Sequence, residues 1–229
     1  MATGFHAKGS GGQTSSASSF SITCTISAGD AVVVFGSWDQ ASATTPTVAT
    51  TGGTGSDSFT LVYGPFTSGV YKYGAWLLQS AGTGRTGATV SWSANNPTFA
   101  DAGCISFTGQ AASVIDQVKF ATGSSTSPTS GNTPTLTSSD ELAVGFAASI
   151  SQVTAAGSPW TDDGVISATQ SWIEHQVLTT TTPVSTTFTS INDTWISFAL
   201  TFKTASSATT FIFGPDWPDG AFETEIVSY

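Results

Sequence analysis

Charge is scarce in this chain. Of its 229 residues only 9% are Asp, Glu, Lys or Arg, against roughly 25% in ordinary domains. Basic residues are the scarcest: five against fifteen acidic, for a net charge of −10. Lys8, Lys72, Arg85, Lys119 and Lys203 are scattered and form no run. Binding to nucleic acid needs clustered phosphate-neutralising cations, so nucleic acid is excluded as a partner, as is docking on anionic lipid. No stretch approaches the ~18 consecutive apolar residues of a membrane span. The first residues carry no apolar run of signal-peptide length, and the expectation is a soluble product made in the cytosol.

Groups that do chemistry are equally rare. There are two cysteines, Cys24 and Cys104, without metal-ligand spacing. Both lie in strand-like runs, which leaves two readings open: small buried hydrophobes or a disulfide. Of the two histidines, His6 lies near the N-terminus. His175 sits beside Glu174 in a strand-like run, where neighbours face opposite ways. The chain has no G-x-S-x-G elbow and no H-E-x-x-H. The acidic pairs Asp140–Glu141 and Asp162–Asp163 read as turn formers that bond their own backbone. Residues 82–87, GTGRTG, match G-x-G-x-x-G. The dinucleotide fingerprint needs a helix next, and the alternating strand pattern at 88–93 makes this a hairpin loop. No catalytic, cofactor-binding or metal-ligating residue is assigned, and the chain reads as a non-enzyme.

What is abundant is Gly, Ser, Thr and aromatic side chains, with 24 Gly, 15 Phe and 7 Trp. No window holds a helical period, whereas short alternating or apolar runs bounded by turns recur throughout, which is a β pattern. Two runs organise the rest: 29–38 (GDAVVVFGSW) and 139–148 (SDELAVGFAA). Asp30 matches Asp140, Val32 matches Leu142 and Val34 matches Val144. Tyr73–Leu78 then falls on Ile173–Leu178, Trp92 on Phe188 and Phe99 on Trp195. The sequence therefore predicts an all-β, antiparallel, jelly-roll-like sandwich built from two similar Greek-key halves, 20–120 and 134–203. A flexible arm over 1–19 precedes it, and a Ser/Thr/Gly linker at 121–133 divides the halves. The sandwich is expected to extend to 213 and to be followed by an acidic, aromatic arm over 214–229.

Trp38, Trp76, Trp92 and Trp195 lie in strand patterns and are expected in the core. Trp160, beside Pro159 in a loop, is the candidate for an exposed ring stacking on a glycan. In the C-terminal arm Trp217, Phe222, Glu223, Glu225, Ile226 and Tyr229 are the candidate partner-binding residues. Pro215 and Pro218 forbid regular pairing there.

A set of these features resembles a family of jelly-roll-like structural proteins of tailed bacteriophages. It comprises the Ser/Gly-rich leader, Thr23-Cys24-Thr25 before the strand Asp30–Phe35, and the aromatic strand Tyr71–Leu78. The hairpin Gly82–Gly87, Ala88-Thr-Val-Ser-Trp92, Phe107-Thr-Gly109, Glu141–Gly145 and Phe198–Lys203 complete it. The resemblance spans roughly residues 13–203. It implies a virion component without catalytic activity or cofactor: a capsid decoration protein, head fibre or minor tail protein. Such a protein is assembled in the host cytoplasm, docks on other virion subunits and is expected to form a homo-oligomer. The alternative is a carbohydrate-binding or receptor-binding module of a phage tail, with a host glycan as partner.

Overall fold

A computed structural model describes residues 4–39, 44–69, 71–149, 152–166 and 170–205. The first half contributes β1 (Gly4–Gln13), β2 (Ser19–Thr23), β3 (Ala31–Trp38), β4 (Thr47–Gly52), β5 (Thr60–Ser68), β6 (Tyr71–Leu78), β7 (Arg85–Ser91) and β8 (Ala100–Thr108). They form one antiparallel sheet in the order β4-β7-β2-β1-β8-β3-β6-β5. The sheet curls until β4 returns beside the start of β5. There Ala49 bridges Ser58, and the Phe59 amide donates to the Val48 carbonyl at 3.0 Å. Eight strands in this cyclic order make a jelly roll.

The second half contributes β9 (Gln110–Ser125), β10 (Leu142–Ser149), β11 (Val153–Ala156), β12 (Thr161–Val165), β13 (Ser171–Val177), β14 (Phe188–Ser190) and β15 (Asp193–Thr204). One sheet runs β12-β13-β10-β15-β9, and β11 pairs β14. Residues 126–136 run beside 181–190. The amides of Ser190, Phe188 and Leu136 donate to the carbonyls of Thr126, Pro128 and Thr181 at 3.0 Å each. With this segment as the second strand, the order repeats that of the first half strand for strand.

The chain is thus all-β and antiparallel, a sandwich as expected, but each half winds a jelly roll of its own rather than half of one. The boundary also moves. Residues 121–125 complete β9 instead of starting a linker, and the halves join at Gly109, whose φ of 74° suits glycine.

The N-terminal arm is corrected too: residues 4–13 form β1, an inner strand between β2 and β8. Its ladder with β8 runs from Gly4 opposite Thr108 to Gln13 opposite Ala100. Gly9 and Gly11 read as linker residues, yet here glycine permits close backbone approach. A Cβ at Gly9 would fall on the Thr23 carbonyl, and one at Gly11 on that of Ser21.

Three layers of core result. Each jelly roll has an interior, and a third core lies between them, where β1-β8-β3-β6 of one half faces β9-β15-β10-β13 of the other. Phe35, Phe107, Phe146, Phe198, Leu200 and Phe202 are fully buried in this shared core. Phe35 and Phe146 stack across it, centroids 5.4 Å apart and planes 8° from parallel. Phe35 lies opposite Gly103 and Ala75, and Phe146 opposite Phe198 and Ile173. This makes the two rings equivalent and places Asp30 on Glu141, both buried. The expected match of Tyr73 with Ile173 is two residues out of register, since Ile173 stands where Ala75 does, and that of Asp30 with Asp140 is one residue out. In a strand a one-residue slip exchanges the two faces.

The interior of the first jelly roll is apolar, holding Ile22, Val34, Trp38, Trp76, Val90 and Trp92. The second interior buries Trp160, Leu136, Ala143 and Leu178, together with Glu174, Thr186, Ser130 and Ser197. Trp38, Trp76, Trp92 and Trp195 are all buried, as expected. Cys24 and Cys104 form a disulfide inside the first half.

Candidate functional site

The two jelly rolls meet along two seams, related by the duplication. Along one, β5 faces β9; along the other, β12 and β13 face β1. In the β5–β9 seam Phe66 stacks on Phe120 at 4.2 Å, and Tyr63 meets Phe66 at 4.8 Å. Phe198 closes the cluster from the shared core, 5.2 Å from Phe120. Aromatic rings fill this part of the seam, and beside them Val62, Leu77, Val114 and Ile115 border an apolar opening of about 460 Å³.

The β12–β1 seam is built differently. Asp162 lies opposite Glu174 and Gly164 opposite Ile173, so Asp163 is the extra residue of a bulge, a device that re-aims a side chain. Its carboxylate is thereby turned to His175, with Nδ1 2.7 Å from Oδ2. Phe5 lies flat on the imidazole, centroids 4.1 Å apart and planes 3° from parallel. The first half carries the same bulge at Val62, between Leu61 and Tyr63. Leu77 stands where His175 does, since each pairs with the threonine at the start of the facing strand. An apolar pair in one half is therefore a hydrogen-bonded His–Asp pair in the other.

Beside this pair lies a cleft of about 170 Å³ lined by Lys8, Ser10, Asp163, Val165, Ile166 and Ile173. The Lys8 ammonium reaches across the seam to within 3.5 Å of where a Cβ on Gly164 would stand. Gly164, at φ 88°, holds the bulge open. The ladder partners explain the cleft: Ser10 pairs with Gly103 as Phe120 pairs with Phe198, and Gly164 pairs with Ile173 as Tyr63 pairs with Ala75. A hydroxymethyl group and a bare backbone stand where two aromatic rings fill the other seam. His6 also anchors β1, its Nδ1 2.7 Å from Oδ2 of the buried Asp30.

Glu174 faces away from His175, as strand alternation requires. It is buried inside the second jelly roll, where its Oε1 accepts the Thr187 amide at 3.2 Å. Burial, reinforced by the Asp162 and Asp163 carboxylates, pushes its pKa up to about 9 against the pull of its backbone hydrogen bonds. It is therefore neutral at pH 7. At the far end of the shared core Asp101 is pushed up to about 6 by burial, opposed by a hydrogen bond from Ser37.

The GTGRTG segment is a hairpin, as expected. Arg85 donates to the Asp57 carboxylate at 2.8 Å and to the carbonyls of Gly52 and Gly55 at 2.7 and 2.6 Å. That pairing holds the Asp57 carboxyl below its usual range. Trp160 is only 8% exposed, packed on Leu136 and Leu178, and its indole N–H donates to the Ser185 carbonyl at 3.0 Å. The expectation of an exposed ring there is corrected. Trp217, Phe222, Glu223, Glu225, Ile226 and Tyr229 lie outside the described residues, as does the extension of the sandwich to 213. Among the described residues no group of three or more His, Cys, Asp or Glu converges to hold a metal ion. Sequence reasoning had His175 and Asp163 in hand separately and Lys8 in an arm; only the register brings them together.

No family model matches the chain, and the searches of curated proteins and of solved structures return no match.

Proposed function

We propose that the chain is a non-catalytic structural protein of a bacteriophage virion, displayed on the particle surface as a capsid decoration protein, head fibre or minor tail protein. The observation that supports this most is the tandem jelly roll braced by a buried Cys24–Cys104 disulfide. Jelly rolls recur in viral capsid domains. Disulfides persist in oxidising surroundings, virion surfaces among them. The family motifs lead to the same reading, and so does a surface low in charge.

In this reading Trp217, Phe222, Glu223, Glu225, Ile226 and Tyr229 dock the protein on neighbouring virion subunits. Aromatic anchors dominate such contacts because a rigid ring loses little entropy on binding. The chain acts as a symmetric homo-oligomer. The test is decoration of purified particles by the full chain and by a chain truncated before Gly214. Loss of binding with an unchanged circular dichroism spectrum is the expected result. Full occupancy by the truncated chain overturns the docking role, and absence of the full chain from particles overturns the reading itself.

A further inference from the structure

We propose that the cleft between β1 and β12 binds a single neutral sugar ring, as one subsite for a glycan. This goes beyond the virion reading and does not depend on it.

The first argument is that the fold does not require the cleft's chemistry. At the equivalent seam the same backbone carries Val62 and Leu77, which border an apolar opening with Val114 and Ile115, in place of Asp163 and His175, and it is filled by Tyr63 and Phe120 in place of Gly164 and Ser10. Placing a carboxylate and an imidazole at such a seam forfeits apolar contact, and buried polar groups stabilise only when fully partnered. The polar set is therefore a local departure from a seam that is apolar at the equivalent positions.

The second argument is the match of groups. His175 fixes one oxygen of Asp163 at 2.7 Å, and Phe5 stacked on the ring fixes His175 in turn. The carboxylate is thus held still as an acceptor. Lys8 makes no salt bridge among the described residues, and its ammonium is a free donor at the rim. Ser10 adds a hydroxyl. Val165, 43% exposed, gives the cleft an apolar wall with Ile166 and Ile173.

An anion is disfavoured by Asp163 and by the net charge of −10, and a cation by Lys8. A ring with vicinal hydroxyls on its rim and C–H groups on its face satisfies all three kinds of contact. The volume of about 170 Å³ suits one such ring, being well below the roughly 300–1,000 Å³ of drug-sized sites.

The test is saturation-transfer NMR on the full chain with D-glucose, D-galactose, D-mannose and N-acetyl-D-glucosamine as separate probes. At least one is expected to bind. Lys8→Ala, an exposed change, is expected to weaken that binding at least tenfold. Ser10→Phe, which places the ring of the other seam in the cleft, is expected to abolish it. Asp163→Asn provides a further arm, checked for folding by its near-ultraviolet spectrum. The proposal is overturned if none of the four sugars binds, or if binding survives both Lys8→Ala and Ser10→Phe unchanged.

Discussion

The two seams of this molecule are the same structure built twice with opposite chemistry. Where β5 meets β9, Tyr63, Phe66 and Phe120 interlock, and the seam holds the halves together. Where β12 meets β1, the same backbone positions carry Gly164, Ile166 and Ser10, with a His–Asp pair in place of Leu77 and Val62. One copy of a duplicated seam can do the structural work and free the other to diverge. The interiors diverge in the same direction. The first is apolar and carries the disulfide, while the second buries Glu174 and a group of hydroxyls.

The largest expected effect comes from unbracing the first jelly roll. Cys24 and Cys104 are 80 residues apart, and in the chain-entropy account opening such a loop costs about 4 kcal/mol. Reduction, or Cys104→Ala, should lower the guanidinium midpoint accordingly; an unchanged midpoint would mean the bond contributes nothing. Next is the aromatic seam: Phe120→Ala should cost about 3 kcal/mol, whereas Ser10→Ala in the other seam should cost less than about 0.5 kcal/mol. Equal losses would erase the contrast between the seams.

A smaller, pH-dependent effect separates the interiors. The Glu174 carboxyl is neutral in the fold up to about 9, whereas an unfolded glutamate ionises near 4.5. The unfolded state therefore releases its proton first, and stability is expected to fall as pH rises between those values. Glu174→Gln should flatten that slope, read from urea midpoints across the range. A slope left intact by the substitution would mean that the buried carboxyl is not its source. Asp101 adds a milder fall of the same sign that is complete by about pH 6.

The strands that carry core on both faces were legible in the sequence. β3 and β10 are apolar but for Ser37 and Ser149, and their likeness revealed the duplication. That same quality hid the register, because a run buried on both faces has no alternation to fix it, and the Asp30–Asp140 identity drew the alignment one residue off. β1 was not legible because Gly9 and Gly11 carry no hydrophobic signal; they are there for β2's backbone, which only the folded sheet shows. The cleft was hidden for a related reason. Lys8, Asp163 and His175 lie far apart in sequence, and the bulge that turns Asp163 inward leaves no mark on composition. Trp160 looked like a loop residue, yet it fills the second interior, as its apolar neighbours Leu136 and Leu178 allow.

The equivalence of the seams is tested most directly by the unfolding free energy of Ser10→Phe. If Ser10 stands in an unfilled ring position on a duplicated backbone, the phenyl group enters the cleft, and stability is unchanged or rises by about 1 kcal/mol. A loss of about 2 kcal/mol or more, the signature of forcing a ring into space already filled, would contradict it.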